Sequence, residues 1–89
     1  MTRPYVPADV REANLAGLAR FVAAVKVDAR LKGPNAAREY IMAQAKFLND
    51  QMAELGGRNT PPRLRGLTAF DLANARDELV TAAPKQRRA

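Results

Sequence analysis

Two pairs of acids come first among the residues that could do chemistry: Asp50 and Glu54, one helical turn apart, and the neighbours Asp77 and Glu78. Carboxylates spaced this way can help hold a magnesium ion, a hard cation that takes oxygen ligands. Nothing else in the sequence is placed to converge on them, and acids on the outer face of a helix are ordinarily solvated. Thr2, Thr60, Thr68 and Thr81 have no evident base to activate their hydroxyls, and Tyr5 and Tyr40 are expected to pack. The 89-residue chain contains no Cys, His, Ser or Trp. It therefore has no thiolate nucleophile, no imidazole base, no Ser-His-Asp centre and none of the usual zinc ligands beyond carboxylates. The expectation is a protein without catalytic residues, metal or cofactor.

Anion recognition is better supplied. Fifteen Lys and Arg stand against nine Asp and Glu, a formal charge of +6. The surplus is uneven: residues 1–33 hold six basic and three acidic groups, 34–57 two and three, and 58–89 seven and three. Arg58, Arg63 and Arg65 follow one another with no acid among them, and Lys85, Arg87 and Arg88 crowd the end of the chain. Guanidinium groups at this density can pair with phosphates by charge and by forked hydrogen bonds, so these six residues are candidate contacts for nucleic acid or another anion. Gly66 and the start of the helix after it add amides at the positive end of a helix dipole, although Asp71 already supplies a negative partner there. No aromatic residue interleaves the loop arginines to stack on single-stranded bases. The alternative is that Thr60-Pro61-Pro62 is a rigid connector whose arginines stay in water or touch a protein.

Helices must position these groups. The chain breaks at Lys32-Gly33-Pro34-Asn35 and at 56–62, where glycine and proline cluster. Before the first break, Leu15, Leu18, Val22, Val25 and Ala29 step by three and four, which lines one face of a helix over about 8–32, with Phe21 on its flank. Asp9 followed by Glu12 suits its start, and Gly33 can supply a left-handed turn at its end. A second helix over about 35–56 carries Ile41, Ala45, Leu48, Met52 and Leu55 on one face, with Tyr40 and Phe47 beside it and Gly56 and Gly57 as stops. Two such helices joined by a short turn most easily form an antiparallel hairpin, and the core is expected along it.

A third helix over about 68–82 opens on a capping-box pattern. Thr68 can accept from the amide of Asp71 while the Asp71 carboxylate reaches back to the amide of Thr68, and Leu67 can staple onto Leu72. Phe70, Leu72, Leu79 and Val80 are expected to be buried to different degrees until Pro84 stops the helix. The segment 1–7 reads as an extended lead-in and 84–89 as a mobile basic tail with nothing to bury. A helix-turn-helix reading of 68–73 finds no second helix of adequate length before Pro84.

Between Ala13 and Val25 only Asn14 and Arg20 are polar, so the first helix is apolar or small nearly all round. A helix without a clearly polar side is normally covered on two sides, and small residues let another backbone come close. Ala16, Ala19, Arg20, Ala23 and Val27 are thus candidates for a protein-docking face, the plain alternative being that alanine is helix-favouring and harmless in water.

The sequence reading is an all-α domain at 8–83, a long helical hairpin with a shorter third helix. Its expected function is non-catalytic binding that docks the chain on a larger macromolecular assembly, with another protein or a second copy of itself as partner. This is the mode of accessory, inhibitor or structural-linker proteins of the phage or plasmid kind. The alternative is a small basic nucleic-acid-binding protein that uses the 58–65 loop and the tail. No apolar run approaches the roughly 18 residues of a membrane span, and the first residues lack the apolar stretch of a secretory signal. A cytoplasmic location follows as the expectation, or a virion-associated one for a phage protein, with no membrane partner.

Overall fold

The computed structural model describes residues 7–57 and 59–85. Three α-helices account for most of them: α1 (Ala8–Arg30), α2 (Pro34–Met52) and α3 (Ala69–Ala82), with one 3-10 turn at Pro62–Leu64 between α2 and α3. Among the described residues no strand occurs and no helix is long and apolar enough to cross a membrane. The fold is all-α.

The helix ends show which local signals decided the boundaries. Pro7 occupies the N-cap of α1 without any side-chain cap bond, and its carbonyl accepts from the amides of Val10 and Arg11 at 3.1 and 3.3 Å. Asp9 and Glu12 therefore do not build a capping box; Asp9 remains a first-turn acid that suits the helix dipole. Gly33 is not left-handed. Its φ of −64° and ψ of 160° make it the extended N-cap of α2, with Pro34 in the first helical position. Pro34 disfavours helical geometry at the residue before it and needs no amide hydrogen at that place, so proline rather than glycine flexibility separates α1 from α2. The second helix stops at Met52, short of the expected 56. Ala53, Glu54 and Leu55 instead donate to carbonyls three residues back, a tighter last turn of the kind common at helix ends. Gly56 then turns the chain with φ 77°, a value that favours glycine.

The core draws on one stripe from each helix. Val22, Val25 and Ala29 of α1, Ala37, Ile41, Ala45 and Leu48 of α2, and Leu72, Ala75 and Leu79 of α3 are all buried, joined by Leu64 and Leu67 from the connection. Leu15, Leu18, Phe21, Tyr40, Met52 and Leu55 pack against this cluster while partly exposed. The α1 and α2 stripes are those the spacing predicts. The third is not: Phe70 is 73% exposed and Val80 43% exposed. Leu72, Ala75 and Leu79 share the 3-4 spacing of a single face, and Phe70 and Val80 fall off it. The core also does not lie along α1 and α2 alone, because the closest association in the molecule is between α2 and α3.

Side chains at the edges tie the helices together. Phe21 and Phe47 meet with ring centroids 6.0 Å apart at a tilt of 47°, within the range of favourable aromatic pairs. The Tyr40 hydroxyl donates to Asp28 at 3.3 Å, and the Lys32 ammonium lies 5.0 Å from the same ring. Burial first, and then the charge of Asp28, raise the Tyr40 hydroxyl above its ordinary pKa. Between α2 and α3, Arg76 donates to Asn49 at 2.9 Å and Arg38 to the Pro84 carbonyl at 3.2 Å. Truncating a fully buried leucine removes its transfer energy and leaves a hole, whereas an exposed side chain leaves little behind. Leu79→Ala is accordingly expected to cost about 2–5 kcal/mol and Phe70→Ala less than about 0.5 kcal/mol, as measured by urea unfolding followed by circular dichroism.

Candidate functional site

The connection from α2 to α3 is held in place from four sides. The Thr60 hydroxyl lies 2.9 Å from the Gly57 carbonyl and 3.3 Å from that of Glu54, fixing the loop to the end of α2. Leu64, 5% exposed, plugs the loop into the core. Asn14 of α1 donates both amide hydrogens across to the loop backbone, to the Pro62 carbonyl at 2.9 Å and the Arg65 carbonyl at 2.7 Å. Arg11, one turn earlier, donates to the Gly66 carbonyl and to the Asp71 carboxylate at 2.8 Å. Carbonyls in a loop have no ladder to satisfy them, so a side-chain amide that takes two of them fixes the loop's path.

Asp71 is where the loop meets the helix it leads into. It accepts from the Thr68 amide at 2.8 Å while its own amide donates to the Thr68 hydroxyl at 3.2 Å, which completes the capping box. Leu67, one residue before the cap, and Leu72, at the fourth position after it, are both buried, the arrangement of a hydrophobic staple. The start of α3 is thus already supplied with a carboxylate, and that carboxylate with a guanidinium. Hydrogen bonding from Arg11 is the main cause that holds the Asp71 carboxyl below its ordinary pKa; partial burial opposes it and the bonds from Thr68 assist. The same bond raises Arg11.

The candidate anion contacts fare differently from one another. Arg63 donates to the side-chain carbonyl of Gln51 at 2.6 Å, and Gln51 is only 6% exposed. Arg65 is exposed, and its backbone carbonyl is one of the two that Asn14 holds. Lys85 is exposed beyond the end of α3. Arg58, Arg87 and Arg88 lie outside the described residues. Within the described set, then, Arg63 and Arg65 share one anchored turn.

The candidate docking residues all lie on the outer side of α1: Ala16, Ala19, Arg20, Ala23 and Val27 are exposed, Val27 by 54%. The Arg20 guanidinium folds back over Gly17, its Nη2 atom 3.7 Å from where a β-carbon would stand. Three of the four acids first considered for a metal pair with neighbouring cations. Asp50 pairs with Lys46 at 3.0 Å, Asp77 with Arg76 at 3.1 Å and Glu78 with Lys26 at 2.5 Å. Among the described residues no three metal-binding side chains come together.

Sequence reasoning passed over Arg11, Asn14 and Gln51, which do most of the positioning. Asn14 had a signal: it is one of two polar residues in a thirteen-residue apolar stretch, 13–25. Gln51 also had one, since it lies three residues beyond Leu48 on the buried face. Nothing in the sequence links Arg11 to Asp71, sixty residues away. A carboxyl whose pKa is depressed on folding contributes stability above the unfolded value, and that contribution is lost as pH falls through the lower, folded value. Asp71→Asn is therefore expected to flatten the loss of stability below about pH 4 while lowering stability at neutral pH, measured by chemical unfolding across a pH series. An unchanged acid limb would remove Asp71 from this role.

Comparison with protein-family models, with curated proteins and with solved structures yields no match to this chain, so the reading of its site rests on these residues alone.

Proposed function

We propose that the protein is a non-catalytic binding protein that docks on another protein or on a second copy of itself through the outer face of α1. The observation that supports this is the mismatch between what α1 could bury and what it does bury. A helix of 23 residues puts Val22, Val25 and Ala29 into the core. Its opposite side shows Ala16, Ala19, Ala23 and Val27 to solvent, and Leu31 beyond its end is 84% exposed. Small side chains on an exposed helical face allow a second backbone to approach closely and pack ridges into grooves. Pairing of Asp50, Asp77 and Glu78 with neighbouring cations fits the non-catalytic part of the reading. The basic turn at 63–65 would steer such a partner, since charges at the rim of an interface act mainly on the rate of association.

A second reading is favoured by one specific observation. Asn14 holds the backbone of the 62–65 turn so that Arg65 is presented from a fixed support, and a nucleic-acid backbone is a fitting target for arginines so placed. Salt separates the two readings. Contacts to several phosphates weaken steeply as salt rises, whereas an apolar face is nearly indifferent.

The test is native mass spectrometry of the untagged protein recovered from its own host, compared at low and high salt for the wild type and for Ala23→Glu. Ala23 is exposed, so the variant is expected to fold normally by circular dichroism. The expected result is a stoichiometric protein companion or second copy that persists at high salt and is missing from Ala23→Glu. Recovery of nucleic acid that is released by salt, and lost on changing Arg58, Arg63 and Arg65 to Ala, would replace this reading with the second. A chain that stays single and bare under both conditions would remove both.

A further inference from the structure

Between α1, α2 and the 3-10 turn lies a cavity of about 190 Å³. Its walls are Leu18, Phe21, Phe47, Leu48, Leu64 and Leu72, with Gly17 at one edge and Arg63 and Gln51 at another. We infer that this cavity is a binding site for a small amphiphilic anion, an aliphatic or aromatic carboxylate whose apolar body enters between the Phe21–Phe47 pair and Leu64 while its charged end meets Arg63.

Size, lining and charge each narrow the ligand. A cavity of about 150 Å³ with leucine and phenylalanine walls stays dry and accepts a benzene-sized guest, so this one takes a body slightly larger than that. The two phenylalanines of its wall tilt at 47° with centroids 6.0 Å apart, and Phe47 is 42% exposed. Gly17 lines one edge without a side chain of its own, and a β-carbon there would meet only the Arg20 guanidinium, at 3.7 Å.

The charged side chain of the lining is Arg63. Gln51 holds Arg63 by one guanidinium nitrogen at 2.6 Å and leaves other N–H groups to donate. Arg20 lies over Gly17 on the α1 side. Neither arginine is within ion-pair distance of a carboxylate among the described residues. Asn14, which also lines the cavity, has both amide hydrogens engaged with the loop backbone. A cation would be repelled by the Arg63 guanidinium, whereas a carboxylate takes forked hydrogen bonds from it. The inference concerns a different surface from the outer face of α1 and does not depend on it.

Octanoate is the probe, with octylamine as its counterpart of opposite charge, each titrated into the full chain and followed by amide chemical shifts. Saturable binding of octanoate is expected, with shifts centred on Gly17, Leu18, Phe47 and Leu64, and octylamine should bind at least about tenfold more weakly. Arg63→Gln should weaken octanoate roughly tenfold through loss of a charged hydrogen bond. Because that change also disturbs Gln51, Arg63→Lys serves as a second variant, which keeps the charge and should weaken octanoate less than Arg63→Gln does. Gly17→Leu, which puts a side chain at the cavity's edge, should abolish binding with the helical circular dichroism signal retained. Failure to saturate, equal binding of octylamine, indifference to both arginine changes, or shifts outside the cavity would each overturn the assignment.

Discussion

Burial of Leu72 and Leu79, both at 0% exposure, is the constraint from which the other arrangements follow. An 89-residue chain has a large surface for its volume and a correspondingly small core. Two helices with stripes as narrow as Val22-Val25-Ala29 and Ile41-Ala45-Leu48 would leave one side of each stripe wet. The third helix closes that side, and to do so it must arrive at one depth and one rotation. A 14-residue helix is marginal by itself, so its position is set from outside: by the Thr68–Asp71 cap, by Leu67 and Leu64 in the core, and by Arg11 and Asn14 reaching from α1. The connection between α2 and α3 is thus a structural part of the core, despite its glycines and prolines.

How much of this was legible in the sequence depended on the range of the interaction. The stripes on α1 and α2 were legible because helical periodicity is a property of consecutive residues, and so was the capping box, whose partners are three residues apart. Phe70 and Val80 were misplaced because their apolarity was weighed above their angular position relative to Leu72 and Leu79. The left-handed role expected of Gly33 gave way to Pro34, whose steric demand acts on the same residue and leaves it extended. The extra turn expected of α2 was lost to three tighter i→i+3 bonds before Gly56. Beyond that range the sequence carried no signal. The bonds from Arg11 to Asp71 and from Asn14 to Pro62 and Arg65 span 60, 48 and 51 residues, and spacing says nothing about such pairs.

The arginines illustrate the same divide in what concerns binding. Their density in the 58–65 stretch was plain in the sequence, and with it the expectation of anion contacts there. The structure changes the meaning of that charge. Asn14 takes two loop carbonyls, Leu64 fills part of the core, and Gln51 holds the Arg63 head, so the turn from Pro62 to Arg65 is already ordered before anything binds. Ordering a loop and its long side chains on association costs free energy that the contacts must recover. An anion reaching Arg63 therefore meets a donor whose backbone and direction are largely set, and the hydrogen bonds it gains are offset by little loss of freedom in the protein. A basic segment of the same composition without Asn14 and Gln51 would attract the same anion from a distance but hold it less well.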